Sequence, residues 1–368
     1  MYRILTVLIS IMLLSGLWVP GVWAKEAATP EIGLNEAISI AINKSNTLKK
    51  VNLEIDKAYE NRQEADDELD YTPVPGNIYN PMVGAAWYSL LSHDLSWQMS
   101  KRNYIVEEDR IVLETCQKYW NVLVAQEKYK VSKHNLKKSE IELANIRALV
   151  NVGMAPQGMS PAMAIKQAEG KKAASFAAYV TAENELSKAY EALNKLIGLW
   201  PEDRPILKDN ILFTPLEDVA LDAHVRSVLD HSPSVWLAEE AVSMAKYAQS
   251  MMFAMGKYTP YEVRKIEVQQ AELDSMNARD AIRMATREMY YALRNIEEAY
   301  ASTEKGIQTA QEALRVIKLL YEVGMATELD VVQAEEALAE VKQGLVDLSA
   351  QHAYLKMAFQ KPWAISRN

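Results

Sequence analysis

Residues 289–337 read MYYALRNIEEAYASTEKGIQTAQEALRVIKLLYEVGMATELDVVQAEEA. Apolar or small residues recur in alternating steps of four and three, at Met289, Leu293, Ile296, Tyr300, Thr303, Ile307, Ala310, Leu314, Ile317 and Tyr321. That is the heptad seam of a coiled coil, whose 3.5-residue repeat imposes a left-handed supercoil. Beyond Val-Gly-Met-Ala at 323–326 the spacing resumes at Val331, Ala334, Leu338, Val341, Leu345, Leu348, His352, Leu355 and Phe359. The chain therefore runs out along one helix and returns along another. Gly324 stands where a left-handed residue ends the first helix, and Thr327, with Glu328 and Asp330 behind it, starts the second as a capping box.

The same pattern occurs earlier in the chain. Val-Gly-Met-Ala recurs at 152–155, and the register carried back from it falls on Val122, Ala125, Tyr129, Ser132, Leu136, Ser139, Leu143, Ile146 and Val150. Gly153 and Met154 are then the tip of a first hairpin, and Ser160-Pro161 opens its return helix. The openings of the two copies also match, "LNEAISIAINKSNTL" from Leu34 with "LDAHVRSVLDHSPSV" from Leu221. This duplication predicts an all-α fold of long antiparallel coiled-coil hairpins in two tandem repeats, at 31–200 and 217–363, joined by a linker at 201–216. Hairpins this long cannot bury their apolar faces on themselves and need other helices or other subunits.

Residues 1–24 carry the marks of a secretory signal peptide: Arg3, an apolar run from Ile4 to Val19, and Val22-Trp23-Ala24 before Lys25. A retained membrane anchor is the alternative. The net charge of −9 provides no footprint for nucleic acid. With Cys116 the only cysteine, no intrachain disulfide can form. Five histidines, at 93, 134, 224, 231 and 352, show no metal-ligand spacing. His352 lies on a seam and reads as packing. No nucleophile–base order or phosphate loop is present, so an enzyme, a metal and a cofactor are not expected.

The order and duplication of these features resemble the TolC family of outer membrane efflux proteins. The features are the repeat starts "NKSNTL" and "DHSPSV", the Tyr-rich entry to each long helix, and tips of the form Gly-x-x-x-x-x-Asp-Val-x-x-Ala. The resemblance spans roughly Leu34 to Trp363. It implies an exported protein of the cell envelope, in the outer membrane or periplasm, forming a homotrimeric helical tube. Such a tube is a passive conduit for efflux or type I secretion and docks on a periplasmic adaptor, a membrane fusion protein, and an inner-membrane pump. In the family a Tyr before the second-tip glycine, a basic residue in the turn and acidic residues beyond it constrict the closed tube. Tyr321 and Asp330 match; Ala326 replaces the base, Gln333 stands where a second acid can occur, and Ala164 replaces an acid of the first tip. The candidate gate and adaptor-contact residues are Gly153, Met154, Tyr321, Gly324, Met325, Asp330 and Gln333.

The family also implies a β-barrel to which each protomer contributes a hairpin from each repeat. A membrane strand takes about 9–11 residues, so a hairpin needs about 20. In the second repeat only "GKYTP" separates the helical patterns on either side. In the first, 71–100 has room for at most one short β-hairpin, so the barrel is expected to be reduced or missing. Trp87, Tyr88 and Trp97 within that segment suggest either an aromatic membrane contact or packing against the bundle. The rival reading is a barrel-less periplasmic coiled-coil scaffold or adaptor-like protein that transports nothing itself.

Overall fold

The computed structural model describes residues 28–69, 81–154, 156, 158–217, 219–250 and 261–365. The expected leader at 1–24 lies outside the described residues. Among those residues are eight α-helices: α1 (Leu34–Lys44), α2 (Asn46–Asp67), α3 (Pro81–Asn151), α4 (Pro161–Ile197), α5 (Leu221–His231), α6 (Pro233–Ser250), α7 (Tyr261–Glu322) and α8 (Glu328–Gln360). Two strands, β1 (Glu31–Ile32) and β2 (Ile206–Leu207), form one short parallel pair. The elements of the second half thus repeat those of the first: a short helix, a kinked continuation, a long helix and its return.

The α3 helix spans 71 residues, about 105 Å at 1.5 Å per residue. It can run so far because no glycine or proline interrupts it between Gly84 and Gly153. The α7 helix, with 62 residues, is about 93 Å long. From Pro81 onward the segment credited with at most one β-hairpin is helix, and 71–80 lies outside the described residues. Local pattern explains this: Gly84, Trp87, Leu90, Leu91, Asp94 and Trp97 fall three or four apart, and each is buried or half-buried. Trp97 packs on Tyr59 of α2 at 5.3 Å between ring centroids, Arg62 pairs with Asp94 at 2.7 Å, and Trp87 hydrogen-bonds Tyr247 of α6. Two of the three aromatics considered for a membrane contact thus meet other helices of the chain.

The repeat-start motif has a structural meaning. Ser45 separates α1 from α2, and Ser232 separates α5 from α6, both with extended backbone. Ser45 accepts a hydrogen bond from the Leu48 amide at 3.1 Å and so caps the continuing helix.

In the half of the molecule that ends at the tips, the helices stand in a single row. The α4 helix packs on α3, α3 on α8 and α8 on α7, while α4 makes no substantial contact with α8 or α7, and α3 none with α7. At the opposite end α2 packs on α3, and α6 on both α7 and α3. A knot at mid-length holds the row. The hydroxyl of buried Tyr119 donates to the Ile32 carbonyl at 3.2 Å and accepts from the Asp209 amide at 3.1 Å, tying α3 to the β1–β2 pair. Around it pack Ala37, Cys116, Trp120, Val122, Tyr190, Leu193 and Ile197. Burial pushes the Cys116 thiol up to about 11, so it stays protonated at neutral pH and serves as a small core residue.

Candidate functional site

The hairpin tips are built by left-handed glycines. Gly153 has φ 79° and Gly324 φ 76°, conformations that cost a side-chain-bearing residue about 1 kcal/mol or more. In the second tip the amide of Met325 returns to the Leu320 carbonyl at 2.8 Å, closing the end of α7. Thr327 then starts α8: its hydroxyl accepts from the Asp330 amide at 3.2 Å, and the Asp330 carboxylate accepts from the Thr327 amide at 2.7 Å. These two bonds are the capping box that the spacing predicts. The Thr327 amide, followed by its hydroxyl, holds the Asp330 carboxyl below its usual range. Asp330 is thereby occupied in starting a helix.

The first tip differs. A second left-handed residue, Gly158 with φ 81°, lies in the inserted residues after the first turn, and Ser160 caps α4 through the Met163 amide at 3.3 Å. From Ala148 to Ile165 no side chain is charged. The second tip is flanked by acids, Glu322, Glu328 and Asp330.

Met154, Met325 and Gln333 are exposed. So is Tyr321, at 48%, although the heptad count puts it on the seam. The seam opens in this last turn because α7 ends at Glu322 and α8 begins only six residues after that, at Glu328. Val152, Met159, Met163 and Val323 are exposed beside them, so the end of the row is apolar over both turns. The two tips also adjoin: a groove of about 400 Å³ is walled by Ile146, Leu149, Pro156, Met159 and Ala168 of the first hairpin and closed by Leu329 of the second.

Ion pairs hold the helices together above the tips. Arg147–Glu169 at 2.8 Å and Lys172–Glu140 at 3.1 Å join α3 to α4, and Lys318–Glu335 at 3.1 Å joins α7 to α8. Between the repeats, Lys138 of α3 meets buried Glu336 of α8 at 2.8 Å, and this hydrogen bond raises the Lys138 pKa. The heptad count alone did not reveal this pair, because it does not say which hairpins share a face. A second feature beyond the sequence reading is the strap over the middle of the second repeat. Phe213 stacks on Tyr300 at 3.6 Å, and the Glu297 carboxylate accepts from the Leu216 amide at 2.5 Å, from Arg294 at 3.0 Å and sits 3.2 Å from His352. His352 is buried, as its seam position predicts, and has Glu297 as a polar partner.

No family model matches the sequence, and no curated protein matches it either. Solved structures do match its shape. CusC, in structures concerned with folding and transmembrane channel formation, aligns at TM-score 0.64 and 13% identity, over 94% of this chain and 96% of that one. The CmeC outer membrane channel of Campylobacter jejuni aligns at 0.64 and 13%, over 92% and 90%. The MtrE outer membrane channel of Neisseria gonorrhoeae, in its open state, aligns at 0.58 and 17%, over 90% and 88%. The chain has the TolC-like fold of these channels.

Proposed function

We propose that this chain is the protomer of a TolC-like passive conduit for efflux or type I secretion. Three copies would close their helical rows into a tube in the cell envelope, at the outer membrane or in the periplasm. The observation that carries this reading is the single layer. Four helices folding as a monomer would pack two on two around a shared core; here they stand side by side with two faces bare. The accessible surface is 23341 Å², against about 15,000 Å² for a compact monomer of this mass. On α7, in the half away from the tips where α6 packs against it, Ile266, Leu273, Met284 and Tyr291 are exposed on one helical stripe, apolar surface that needs a partner. A second copy arriving head to tail covers that edge and leaves its own edge open, and a ring of such contacts closes.

In this reading 1–24 is removed on export, 31–200 and 217–363 are the two hairpin repeats, and 201–216 links them. The tips, with Gly153, Met154, Tyr321, Gly324, Met325, Asp330 and Gln333, meet a periplasmic adaptor that serves an inner-membrane pump. Apolar, largely uncharged turns suit packing against another helical hairpin better than ionic recognition. The barrel is reduced or missing in this reading. Only 68–80 separates α2 from α3 and only 251–260 separates α6 from α7, each short of the about 20 residues that a membrane hairpin takes. Those short intervals also favour the second reading, a barrel-less periplasmic scaffold.

Light scattering on the purified full chain tests the conduit. A trimer is expected, and Leu273→Glu, at an exposed position, should turn it into a helical monomer with an unchanged far-ultraviolet spectrum. A wild-type chain that is a stable monomer cannot enclose a tube. A trimer that passes no ions across a planar bilayer under any condition points to the scaffold.

A further inference from the structure

Four of the exposed apolar side chains at the tips are methionines: Met325 at 77% exposure, Met163 at 63%, Met154 at 55% and Met159 at 37%. They occupy both turns and the first turn of α4, and Met159 also walls the groove between the tips. Met289 and Met357, by contrast, pack against the core at mid-length. Met276 and Met284 are exposed on α7, on or beside the stripe that a second copy would cover.

We propose that the tip methionines are an oxidation site that switches the docking surface off and on, an inference that rests on reading the tips as that surface. Methionine packs well on varied partners because it is unbranched and apolar, and the same thioether is the group that a two-electron oxidant attacks. Hypochlorous acid is such an oxidant. The sulfur lone pair attacks chlorine and displaces hydroxide; water then displaces chloride from the chlorosulfonium sulfur and loses two protons, one of which neutralises the hydroxide, so the net change is thioether plus HOCl to sulfoxide plus H⁺ and Cl⁻. Sulfur loses two electrons and chlorine gains them. The sulfoxide oxygen is a strong acceptor, and burying it without a donor is unfavourable. The first tip has no charged donor between Arg147 and Lys166 to satisfy it. A methionine sulfoxide reductase reverses the change, with a dithiol supplying two electrons and the oxygen leaving as water.

The purified full-length assembly, titrated with hypochlorous acid below one equivalent per methionine, tests this by peptide mass spectrometry. Met154, Met163 and Met325 should oxidise about tenfold faster than Met289 and Met357. They should also outpace Met276 and Met284, which gain reactivity in the monomeric Leu273→Glu variant. Fluorescence of an apolar dye bound to the protein should fall by about half as the tips oxidise and return after reductase and dithiothreitol. The triple variant Met154→Leu, Met163→Leu, Met325→Leu should bind the dye and keep it through oxidation. Equal rates at tip and core methionines, or dye loss in the triple variant matching wild type, would overturn the proposal while leaving the tip reading intact. The tip reading fails separately, and the switch with it, if Val323→Asp leaves dye binding unchanged before any oxidant is added.

Discussion

Leu143 and Leu314 hold the same seam position in the two repeats, yet Leu143 is buried and Leu314 is only half-covered. The contrast runs along both helices. On α3, Val122, Ala125, Ser132, Ser139 and Leu143 are all buried; on α7, only Leu293 among the corresponding residues is, and Ile296 through Ile317 stay partly open. The heptads are equally good. What differs is the number of long helices alongside, since α3 lies between α4 and α8 whereas α7 has α8 and, near Leu293 to Tyr300, only the strap at 213–216. A seam therefore specifies one partner, and position in the row decides whether a second exists. The half-covered seam belongs to the helix that ends the row.

The sharpest way to break the contrast is to place a charge at the matched position. Leu143→Asp, which strands a carboxylate between three helices, is expected to cost about 4 kcal/mol or more in urea unfolding of the monomer. Leu314→Asp should cost about half as much there, because its carboxylate can reach water. In the assembled protein the two costs should converge if a second copy lies over α7. Costs that stay apart in the trimer would show that the α7 seam remains bare in the assembly.

A smaller effect probes the partner that α3 has and α7 lacks. Lys138→Met leaves the Glu336 carboxylate, at 7% exposure, without its counter-charge. About 2 kcal/mol of destabilisation is expected, less than for a fully buried pair because Lys138 is itself partly solvated. Adding Glu336→Leu to Lys138→Met should recover most of the loss, and the double-mutant cycle measures the link between the repeats near their tips. No recovery would mean that the interface is held by packing alone.

Much of this was legible in advance and some was not, for physical reasons. The long helices, both tip glycines and the Thr327 box follow from local rules, a 3.5-residue period and the steric freedom of glycine, and each was readable from a few neighbouring residues. The helix from Pro81 into α3 is also locally coded by Trp87, Leu90, Asp94 and Trp97, but the prolines before it and its aromatics left room for a hairpin reading as well. The Lys138–Glu336 pair and the strap from Phe213 to Leu216 were beyond sequence reasoning. Each joins residues far apart in the chain, and nothing in the spacing of either partner names the other.

That strap is sensitive to pH. Burial pushes the Glu297 carboxyl up, but the Leu216 amide, His352 and Arg294 together outweigh it and hold the folded-state pKa below its ordinary value. A depressed carboxylate adds stability that is fully present above its unfolded pKa, about 4.3, and is lost as pH falls through the lower folded value. Wild-type stability should therefore decline below about pH 4.3 with a contribution absent from Glu297→Gln, whose curve should be flatter in that window. Parallel curves would show that the strap does not depend on the charge.

The smallest expected difference lies between the tips themselves. Thr327 exchanges three hydrogen bonds with Asp330, whereas Ser160 makes one, at 3.3 Å, and is followed by Pro161, whose fixed φ already favours the first turn of α4. Replacing either cap with Ala removes a partner for an amide that the helix cannot satisfy, at a typical cost of about 1 kcal/mol. Thr327→Ala should be the costlier of the two, because it removes both the acceptor for the Asp330 amide and the hydroxyl's own bond to the Asp330 carboxylate, leaving only the backbone amide at position 327 to hold that carboxylate. The effect is local, so hydrogen exchange is the measurement to use: protection should fall in the first turn of α8 while the mid-length core is unaffected. Ser160→Ala should change the first turn of α4 by less, since proline holds it. Equal losses at both tips would mean that the reciprocal box adds nothing beyond a single cap. The second tip would then have no stiffness of its own to set against the inserted, twice-turned first tip when a partner hairpin arrives.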